Sequence, residues 1–414
     1  MKLNGAGDKK RMRVLFLTYS RHPYIRELKE RLGDEVEVVY VIVRGLKPLD
    51  PGLLAYSLLF LIKLLINRSR PFFRILIIFS KNILKSLKNS LSILYLFSSL
   101  FFTAVSIYKT HAKDPLDIIH AFWSYPAGVS AVLVKSVIGV PVVISVLGYD
   151  ANEITLENAF LRELSSLAVQ NADDIIAGAE NLYLNLIQKM GVDKNKVQII
   201  TPGVDIAKFN PSVDGSLIRM KYGLNEDIVV AFGPHLRDIY GPEDFLRAAA
   251  IVSREVPNVS FILIGDGPLF YRLNELARDL GVRAVFVGRV PYNEMPMYYA
   301  ASDIYCMPCY AGQGVSVLEA MASGKPVIGY RGGIIKIEDY KDGFLVDAGN
   351  VEELAEKILI LIRDSELRRT MGENARRKAL SQFDITISAK KILTIYQELL
   401  NKGDKDGGWS ASWG

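Results

Sequence analysis

The amino-acid sequence predicts an α/β protein built from two doubly wound domains. Strand-sized apolar runs alternate with segments of helical periodicity, and this alternation starts twice along the chain. Most of the runs are apolar at nearly every position, which is typical of parallel strands covered by helices on both faces. With 414 residues, of which 50% are hydrophobic, each domain is large enough to bury its own core.

The first domain is expected over residues 12–205. Its opening run, VLFLT, reads as a buried strand because four apolar residues precede Thr18, and a turn-like His22-Pro23 follows shortly afterwards. The predicted strands of this domain lie at 14–18, 36–43, 117–121, 141–147 and 174–177, and its helices at 25–32, 127–138 and 156–170.

The second domain is expected over residues 226–385, after a linker at 206–225. Pro242 suits the first turn of a predicted helix at 242–255. The other predicted helices lie at 269–280, 293–300, 315–323 and 351–364, and the strands at 228–232, 259–264, 284–287, 304–307, 326–330 and 343–346. A final crossover helix is expected at 386–400, before a Gly- and Ser-containing tail, 401–414, that we expect to be disordered.

An apolar, basic segment interrupts the first domain. Residues 51–113 contain nine Lys and Arg residues but no Asp or Glu, so the whole positive excess of the chain, +5, lies there. Helices at 53–66 and 72–84 carry cations among apolar residues, as helices that lie in a membrane interface do. We therefore expect membrane contact through seven basic residues: Lys63, Arg68, Arg70, Arg74, Lys81, Lys85 and Lys88.

Two other interpretations of this insert remain open. The uncharged stretch 89–108 is long enough to span a membrane, although it contains five Ser and one Thr, and one crossing would separate two parts of one sheet. Alternatively, the helices cap the first domain and their cations are solvated. Binding of nucleic acid is not expected, because the cations are embedded in Leu, Ile and Phe without polar residues that read bases.

Cysteine content indicates the compartment. Two cysteines do not form a disulfide-rich scaffold, and we expect no secretory signal, so the predicted location is the cytoplasm, at the inner face of the cell membrane. Cys306 and Cys309 resemble half of a zinc site, but no further cysteine is present to complete it, which favours a core role. No metal is expected.

The strongest local signal lies at residues 309–326, CYAGQGVSVLEAMASGKP. A Gly-rich turn containing Gly312 leads into a helix whose first amides, near Gly314, Val315 and Ser316, are suited to bind an anion. Glu319, one turn further on, is placed to accept hydrogen bonds from a diol such as a ribose. An ordinary capped helix would have the same spacing.

Together with these residues, several other motifs resemble those of the retaining, GT-B-fold glycosyltransferases of family 4, especially the lipopolysaccharide and exopolysaccharide members. The motifs are TPGVD at 201–205 with Phe209, LIGDGP at 263–268, VFVGRV at 285–290, EAMA at 319–322, GFLV at 343–346, and DIIHAFWSYPAG at 117–128. The resemblance covers most of residues 12–400. It implies two Rossmann-like domains facing a cleft, with a nucleotide-sugar donor held mainly by the second domain.

The resemblance assigns roles to individual residues. Glu319 is expected to bind the donor ribose and the amides of Gly314, Val315 and Ser316 the diphosphate, while Gly288 and Arg289 lie along the base. No metal and no cofactor is implied, because helix dipoles and basic side chains meet the charge of the leaving diphosphate. Retaining members are thought to need no general base from the protein, and we name no catalytic residue.

Departures from the family pattern affect groups that handle the donor. Ala311 stands where the family has the first of two glutamates, and Leu147 stands where it has a His before Gly-x-Asp. The Arg and Lys expected after the first strand of the second domain fall near Pro234 and Tyr240, and Lys336 replaces a Glu. Either other cations take over the donor contacts, or the chain is a catalytically inactive subunit of a glycan-assembly complex.

His235, Arg237 and Lys336 are the candidates for replacement donor contacts, since Arg suits bidentate binding of phosphate. His235 would alternatively be a loop histidine bonded to backbone, and Arg237 a surface partner of Asp238 or Glu243. In the first domain, three residues are candidates for contact with the acceptor or the sugar: His22, His120 and Asp150. A buried, satisfied histidine is the alternative for His120, and capping of the next helix for Asp150.

The sequence therefore predicts a metal-independent hexosyltransferase. It would move a sugar from a nucleotide-diphosphate donor to a lipid-linked or cell-envelope glycan acceptor at an anionic membrane surface, in polysaccharide biosynthesis. A nucleotide-sugar epimerase or a phosphorylase would share the two-domain shape, but the PGVD and EAMA motifs favour a transferase.

Overall fold

A computed structural model describes residues 11–19, 22–43, 51–85, 90–148, 150–151, 158–225, 227–233, 235–310, 314–332 and 337–405. Only the backbone is described for residues 51–55, 83–85, 90–91 and 403–405. The chain divides into two compact units. The first comprises residues 1–201 and 389–414, and the second comprises residues 202–388.

The first unit contains a six-stranded parallel sheet with the strand order β2-β1-β3-β4-β5-β6. Its strands are β1 (Met12–Thr18), β2 (Val36–Ile42), β3 (Ile118–Phe122), β4 (Val142–Val146), β5 (Asp174–Ala177) and β6 (Val197–Ile199). β3 and β4 are buried at every residue, as expected for central strands covered on both faces. β6 has only three residues, too few to show a periodicity, and it was not among the predicted strands.

Helices cover this sheet. They are α1 (Pro23–Leu32), α2 (Pro51–Ile66), α3 (Arg70–Lys85), α4 (Ser90–Lys113), α5 (Val129–Ile138), α6 (Ala159–Asn171) and α7 (Glu180–Gln188). Two of them begin at recognisable caps. The ring of His22 accepts from the Tyr24 amide at the start of α1, and Asn158 Oδ1 accepts from the Leu161 amide at the start of α6.

The insert, α2 to α4, packs against the rest of the first unit. Phe60, Phe79 and Ile107 lie in the same hydrophobic cluster as the strands β1, β3 and β4. Among the described residues, the stretch 92–113 of α4 is long and apolar enough to cross a membrane, by length and composition alone, and 39% of its most apolar part is buried. The alternative that the helices of the insert cap the first domain is therefore correct for one side of the insert.

The other side of the insert is exposed and apolar. We call it the insert face, and it consists of Leu58, Leu59, Ile62, Leu65, Ile66, Phe73, Leu76, Ile77, Leu94 and Tyr95. Ile66 is 72% exposed and Leu58 is 61% exposed, so these side chains gain nothing from the core.

The second unit contains another six-stranded parallel sheet, with the strand order β12-β11-β10-β7-β8-β9. Its strands are β7 (Ile228–Phe232), β8 (Val259–Ile264), β9 (Ala284–Gly288), β10 (Ile304–Met307), β11 (Val327–Tyr330) and β12 (Gly343–Val346). Its helices are α8 (Ser216–Tyr222), α9 (Pro242–Glu255), α10 (Phe270–Asp279), α11 (Met295–Ala301), α12 (Val315–Ala322), α13 (Val351–Arg363), α14 (Ser365–Gln382) and the start of α15 (Ile385–Lys405).

The structure differs from the predicted boundaries at two places. Residues 206–225, expected as a linker, belong to the second unit, where Phe209, Ile218 and Leu224 are buried in its core and α8 forms. The helix α15 continues to Lys405, so residues 401–405 are helical and were wrongly expected to be disordered. Residues 406–414 lie outside the described residues.

A close backbone approach explains one glycine of the PGVD motif. A Cβ atom on Gly203 would lie 2.3 Å from the Cα atom of Ile385. Two hydrogen bonds hold the two backbone segments together there. The Val204 amide donates to the Phe383 carbonyl (2.8 Å), and the Ile385 amide donates to the Val204 carbonyl (3.1 Å). Only glycine fits at this crossing.

Candidate functional site

The candidate donor site is centred on the first turn of α12. β10 ends at Met307 on the carboxyl edge of the second sheet, and α12 starts after Gly314, which has a φ of 63°. The Gly314 carbonyl accepts from the amides of Val317 (2.8 Å) and Leu318 (3.1 Å). The amides of Val315 and Ser316 are therefore the ones that the helix itself does not use, and together with the helix dipole they form a suitable place for an anion.

Glu319 lies one turn further along α12, and it is only 5% exposed. Tyr299 of α11 donates its hydroxyl to Glu319 Oε2 at 2.7 Å, so one carboxylate oxygen is held from within the protein. Burial, and then the nearby carboxylate, raises the pKa of Tyr299 well above its usual value, so this hydroxyl stays a donor. Binding of a ribose by Glu319 remains a prediction.

The loops after β7, β8 and β9 are tied to one another at the same carboxyl edge. The backbones at His235 and Asp266 form a parallel β-bridge, and the Gly265 amide donates to the Gly288 carbonyl at 2.9 Å. Gly265 and Gly288 both have a positive φ, of 110° and 75°, which lets the two turns approach each other. The structure thus brings the predicted residues of three separate motifs to neighbouring strand ends.

His235 and Arg237 lie exposed on the first of these loops, and Arg289 lies exposed beyond β9. The His235 ring packs beside Tyr240, with 5.6 Å between the ring centroids. Partial burial of the ring, and then the charge of Arg237, lowers the pKa of His235, although the residue as a whole is exposed. Among the described residues Arg237 forms no ion pair, and Glu243 instead pairs with Arg247 and Arg272.

Two predicted donor contacts cannot be placed, because Gly312 and Lys336 lie outside the described residues. The structure also reveals a group that the sequence did not indicate. Asp244 Oδ2 accepts from the hydroxyl of Tyr310 (2.6 Å) and from that of Tyr330 (2.8 Å). These bonds join α9 to the residues that follow β10 and to the end of β11.

The two cysteines are part of the core. Cys306 is fully buried in β10 and Cys309 is 2% exposed. Burial raises the pKa of the Cys306 thiol, which disfavours the thiolate that a metal site needs. Among the residues with described side chains, no three His, Cys, Asp or Glu residues converge as metal ligands.

In the first unit, His120 does not occupy the predicted position. It is fully buried in β3, with Nε2 2.7 Å from the Ser145 hydroxyl and Nδ1 2.5 Å from the Tyr396 hydroxyl. Burial lowers its pKa to about 3, so the ring is neutral. A contact between His120 and an acceptor is therefore a wrong prediction, and the alternative of a buried, satisfied histidine is correct.

Asp150 is also buried, at 2% exposed. Its Oδ2 accepts from the Ser124 amide at 2.6 Å, and its Oδ1 accepts from the Leu147 amide at 3.2 Å. Both amides lie just beyond strand ends, so the carboxylate organises the segments that follow β3 and β4 and does not reach outward. Capping of the next helix stays a prediction, because residues 152–157 lie outside the described residues. Burial raises the pKa of Asp150 to about 6, while these hydrogen bonds act in the opposite direction.

His22 is half-buried at the start of α1, and it contacts Trp123, with 6.2 Å between ring centroids. Trp123 follows β3 and has a positive φ of 74°. His22 is thus the one of the three candidates in this unit that remains near the surface at a strand end, and its contact with acceptor or sugar stays a prediction.

The basic residues of the insert differ in their surroundings. Arg68, Arg70, Arg74 and Lys81 are exposed, as a membrane contact requires. Lys63 is half-buried, and its Nζ lies 5.6 Å from the centre of the Tyr108 ring, so it packs against α4. The side chain of Lys85 and all of Lys88 lie outside the described residues.

Sequence comparison assigns both units to one family. A family model described as Glycosyltransferase Family 4 matches residues 23–208, and one described as Glycosyl transferases group 1 matches residues 216–378. The chain belongs to the group 1 glycosyltransferases. The family predicted from the motifs is thereby confirmed.

Curated relatives of this glycosyltransferase have different substrates in their names. A D-inositol 3-phosphate glycosyltransferase of Corynebacterium kroppenstedtii is 32% identical over 57% of this chain and 55% of its own length. An N-acetyl-alpha-D-glucosaminyl L-malate synthase of Bacillus anthracis is 27% identical over 71% and 78%. A GDP-mannose-dependent alpha-(1-6)-phosphatidylinositol monomannoside mannosyltransferase of Mycolicibacterium smegmatis is 32% identical over 44% and 52%. The chain thus matches only about half the length of two of the three.

Solved structures support the fold of the glycosyltransferase. HepE of Anabaena, crystallised with UDP-glucose, superposes with a TM-score of 0.71 at 22% identity, over 94% of this chain and 100% of that one. The predicted α/β class with two doubly wound domains of the GT-B type is confirmed. The cleft expected between the domains stays a prediction.

Proposed function

We propose that this glycosyltransferase moves a sugar from a nucleotide-diphosphate donor to a lipid-linked or cell-envelope glycan acceptor at a membrane surface, with retention of anomeric configuration. The observation that carries the donor half of the proposal is the first turn of α12. Its unused amides, at Val315 and Ser316, lie beside a nearly buried Glu319 at a strand end. An anion would bind at these amides, and a diol at Glu319 one helical turn further on, so the two groups together suit a nucleoside diphosphate.

In this proposal the charge of the leaving diphosphate is stabilised by the α12 dipole and by exposed cations. Arg237 and Arg289 supply positive charge from loops at the same edge of the sheet. Lys336, which lies outside the described residues, stays a predicted third cation. His235, whose pKa is lowered, is neutral at pH 7 and acts as a hydrogen-bonding group. The residues need no metal or further cofactor for this task, because preorganised dipoles and cations stabilise the charge where it develops.

The names of relatives support a nucleotide-sugar donor without fixing its base. HepE of Anabaena was crystallised with UDP-glucose, whereas the relative from Mycolicibacterium smegmatis is named for GDP-mannose. The donor nucleotide therefore has to be found by comparison of UDP, GDP and ADP.

The insert face supports the acceptor half of the proposal. Its apolar side chains are exposed beside Arg68, Arg70 and Arg74, a combination that suits the headgroup region of an anionic leaflet. We propose a peripheral position on the inner, cytoplasmic face of the cell membrane. The phosphatidylinositol monomannoside in the name of the Mycolicibacterium relative is an acceptor of the lipid-linked kind.

One observation favours a second candidate, an inactive subunit of a glycan-assembly complex. Ala311 and Leu147 stand where the family has Glu and His, so groups that would act on the sugar are replaced while the ribose and phosphate elements remain. An inactive subunit would bind the nucleotide but would release no diphosphate from a nucleotide sugar.

The donor site is tested by thermal unfolding with UDP, GDP and ADP. One of them is expected to stabilise the protein by about 2.7 kcal/mol at a concentration of 100 times its Kd. Glu319→Ala should abolish this shift, whereas Glu352→Ala, at an exposed position of α13, should preserve it. If none of the three nucleotides shifts the melting temperature, the donor-site assignment is wrong.

The reaction is tested with a panel of nucleotide sugars, by diphosphate release with and without a lipid extract. Release that depends on the extract and is lost in Glu319→Ala supports a transferase with a lipid-linked acceptor. Nucleotide binding without release from any sugar supports the inactive subunit instead.

A further inference from the structure

A groove of about 670 Å³ lies between α3 and α6 in the first unit. Residues 188–191, at the end of α7 and in the turn after it, complete its lining. The volume is in the range of small-molecule sites. The groove runs along α6 down to Gln170, near the helix end that leads to the amino end of β5, and so it is separate from the strand ends at which Asp150 and His22 lie.

Cations from three elements line the groove. Arg74 and Lys81 come from α3, Arg162 from α6, and Lys189 from the turn after α7, and among the described residues of the lining one carboxylate, Glu163, accompanies them. Arg74 and Lys81 are seven residues apart, which puts them on the same side of α3, two turns from each other. The excess of positive charge predicts an anionic ligand. The cations come from elements that are distant in sequence, so the fold itself brings them together.

The rest of the lining is apolar. Ile77 and Ile78 lie between the two cations of α3, and Met190 lies next to Lys189. Ile77 also belongs to the insert face, together with its neighbours Phe73 and Leu76 on the same helix. The groove is therefore continuous with an exposed apolar surface, and a ligand that suits both must have an anionic head and an apolar part.

We propose that this groove binds the phosphate headgroup of an anionic membrane lipid. Arg74, Lys81, Arg162 and Lys189 would surround the phosphate, while Ile77 and Ile78 contact the glycerol and the start of the acyl chains. The inference rests on the membrane-surface position in the proposed function and adds a discrete lipid site, but it does not depend on the transfer reaction.

The full chain is tested by flotation with vesicles of phosphatidylcholine and with vesicles that also contain phosphatidylglycerol. The test variant is Arg162→Gln/Lys189→Gln, whose two positions lie outside the insert. Each cation near an anionic leaflet changes affinity about 5-fold, so we expect a loss of about 25-fold on phosphatidylglycerol vesicles. The matched control, Lys194→Gln/Lys391→Gln, removes the same charge at exposed positions of the first unit that do not line the groove.

A second measurement separates a lipid site from a site for free anions. Titration with short-chain, micelle-free phosphatidylglycerol should stabilise the wild type against thermal unfolding, and glycerol 3-phosphate at the same concentration should not. Arg74→Gln/Lys81→Gln should lose the stabilisation, as should the first variant, provided that the melting temperatures without ligand equal that of the wild type. If one variant has a lower melting temperature than the wild type without ligand, the lipid titration of the other variant tests the site.

Three results would overturn the proposal. Equal losses in the groove variant and in the control would show a general surface attraction, and equal stabilisation by glycerol 3-phosphate would show a soluble-anion site. An unchanged affinity of both groove variants would show that the groove binds no lipid. Nucleotide binding by the same variants is measured alongside, so that a failure of the donor site is recognised separately.

Discussion

At the scale of single residues, His120 shows how burial sets a protonation state. Its ring stacks on Phe122, with 4.3 Å between centroids, and both ring nitrogens have hydroxyl partners. A neutral ring, with one donor and one acceptor nitrogen, suits two hydroxyl groups, because each can either donate or accept. Protonation would place a charge in the sheet with no carboxylate among these partners.

This predicts a pH dependence of stability. The pKa of His120 is about 3 in the folded protein, below the usual 6.5, so the unfolded chain binds the proton more tightly. The contribution of the neutral His120 ring to the free energy of unfolding is complete above pH 6.5 and is lost as the pH falls toward 3. Between pH 6.5 and 5 the wild type should lose about 2 kcal/mol relative to His120→Gln, measured by urea unfolding.

The comparison uses the difference between the two proteins because Asp150 acts in the opposite direction. Its pKa is raised to about 6, so the folded protein binds this proton more tightly and loses stability as the pH rises from about 4 to 6. Ser145→Ala keeps both groups and serves as a control. A constant difference between wild type and His120→Gln across this range would contradict the assigned neutral state.

Tyr299 is a positioning residue for the donor site. Its hydroxyl holds Glu319, so Tyr299→Phe should cost about 1 kcal/mol of stability and reduce the affinity for the nucleoside diphosphate about 3- to 10-fold. Tyr40→Phe is the control, since it removes a tyrosine hydrogen bond, to the Ile25 carbonyl, in the first unit and away from the donor site. Calorimetric titration of both variants gives the answer. Equal effects on nucleotide affinity would assign Tyr299 a structural role only.

At the scale of elements, the backbone crossing at Gly203 joins the PGVD motif to the start of α15. Gly203→Ala would force Ile385 to move, because the new Cβ atom would lie 2.3 Å from its Cα atom. We expect a loss of about 3 kcal/mol or more in thermal unfolding. Gly33→Ala, which meets no atom within 4 Å and carries only the strain of a positive φ, should cost about 1 kcal/mol. Similar losses in the two variants would contradict the crossing.

Much of the element pattern was readable from periodicity, and the exceptions have physical reasons. Of the twelve strands in the described residues, eleven were predicted, most of them because buried parallel strands are continuous apolar runs, whereas β6 is too short to form one. The segment 206–225 has the composition of a loop, and only the packing of Phe209 beside Tyr292 and Tyr299 shows that it belongs to a core.

The sequence predicted the part of the candidate site that lies within one short segment. Gly314, Ser316 and Glu319 are close in sequence, and the structure places them as predicted at the start of a helix. The contacts of Glu319 with Tyr299, and of Asp244 with Tyr310 and Tyr330, join separate elements, so no local pattern announces them. His120 shows the reverse case. Strand position alone did not reveal that its side chain faces Tyr396, which is 276 residues away.

At the scale of the whole molecule, charge is unevenly distributed. Outside residues 51–113 the chain has 41 basic and 45 acidic residues, so the net positive charge that favours an anionic surface lies in the insert. Binding to phosphatidylglycerol vesicles should therefore fall steeply as salt is raised past about 0.15 M, where the Debye length is about 8 Å. Equal binding to neutral vesicles, or none to either kind, would argue for a capping or membrane-spanning insert.

The apolar part of this attraction is testable at the insert face. Leu58→Ser/Ile66→Ser should reduce vesicle binding about 10-fold or more at constant salt, because two exposed apolar side chains leave the lipid phase. Leu217→Ser/Met220→Ser makes the same kind of change at equally exposed positions of α8 in the second unit, and should have no effect. Flotation of both variants is the measurement, and equal losses would show non-specific adsorption.

The division of the chain also determines the order in which the protein can be completed during synthesis. The first unit includes Ile392, Ile395 and Tyr396, all buried, so it is completed by residues that the ribosome makes after the whole of the second unit. Until then, His120 lacks one of its two partners, while the second unit is already complete in sequence. The domain that is begun first is thus finished after the second one, and a nascent chain stalled before residue 389 would offer chaperones an open first unit.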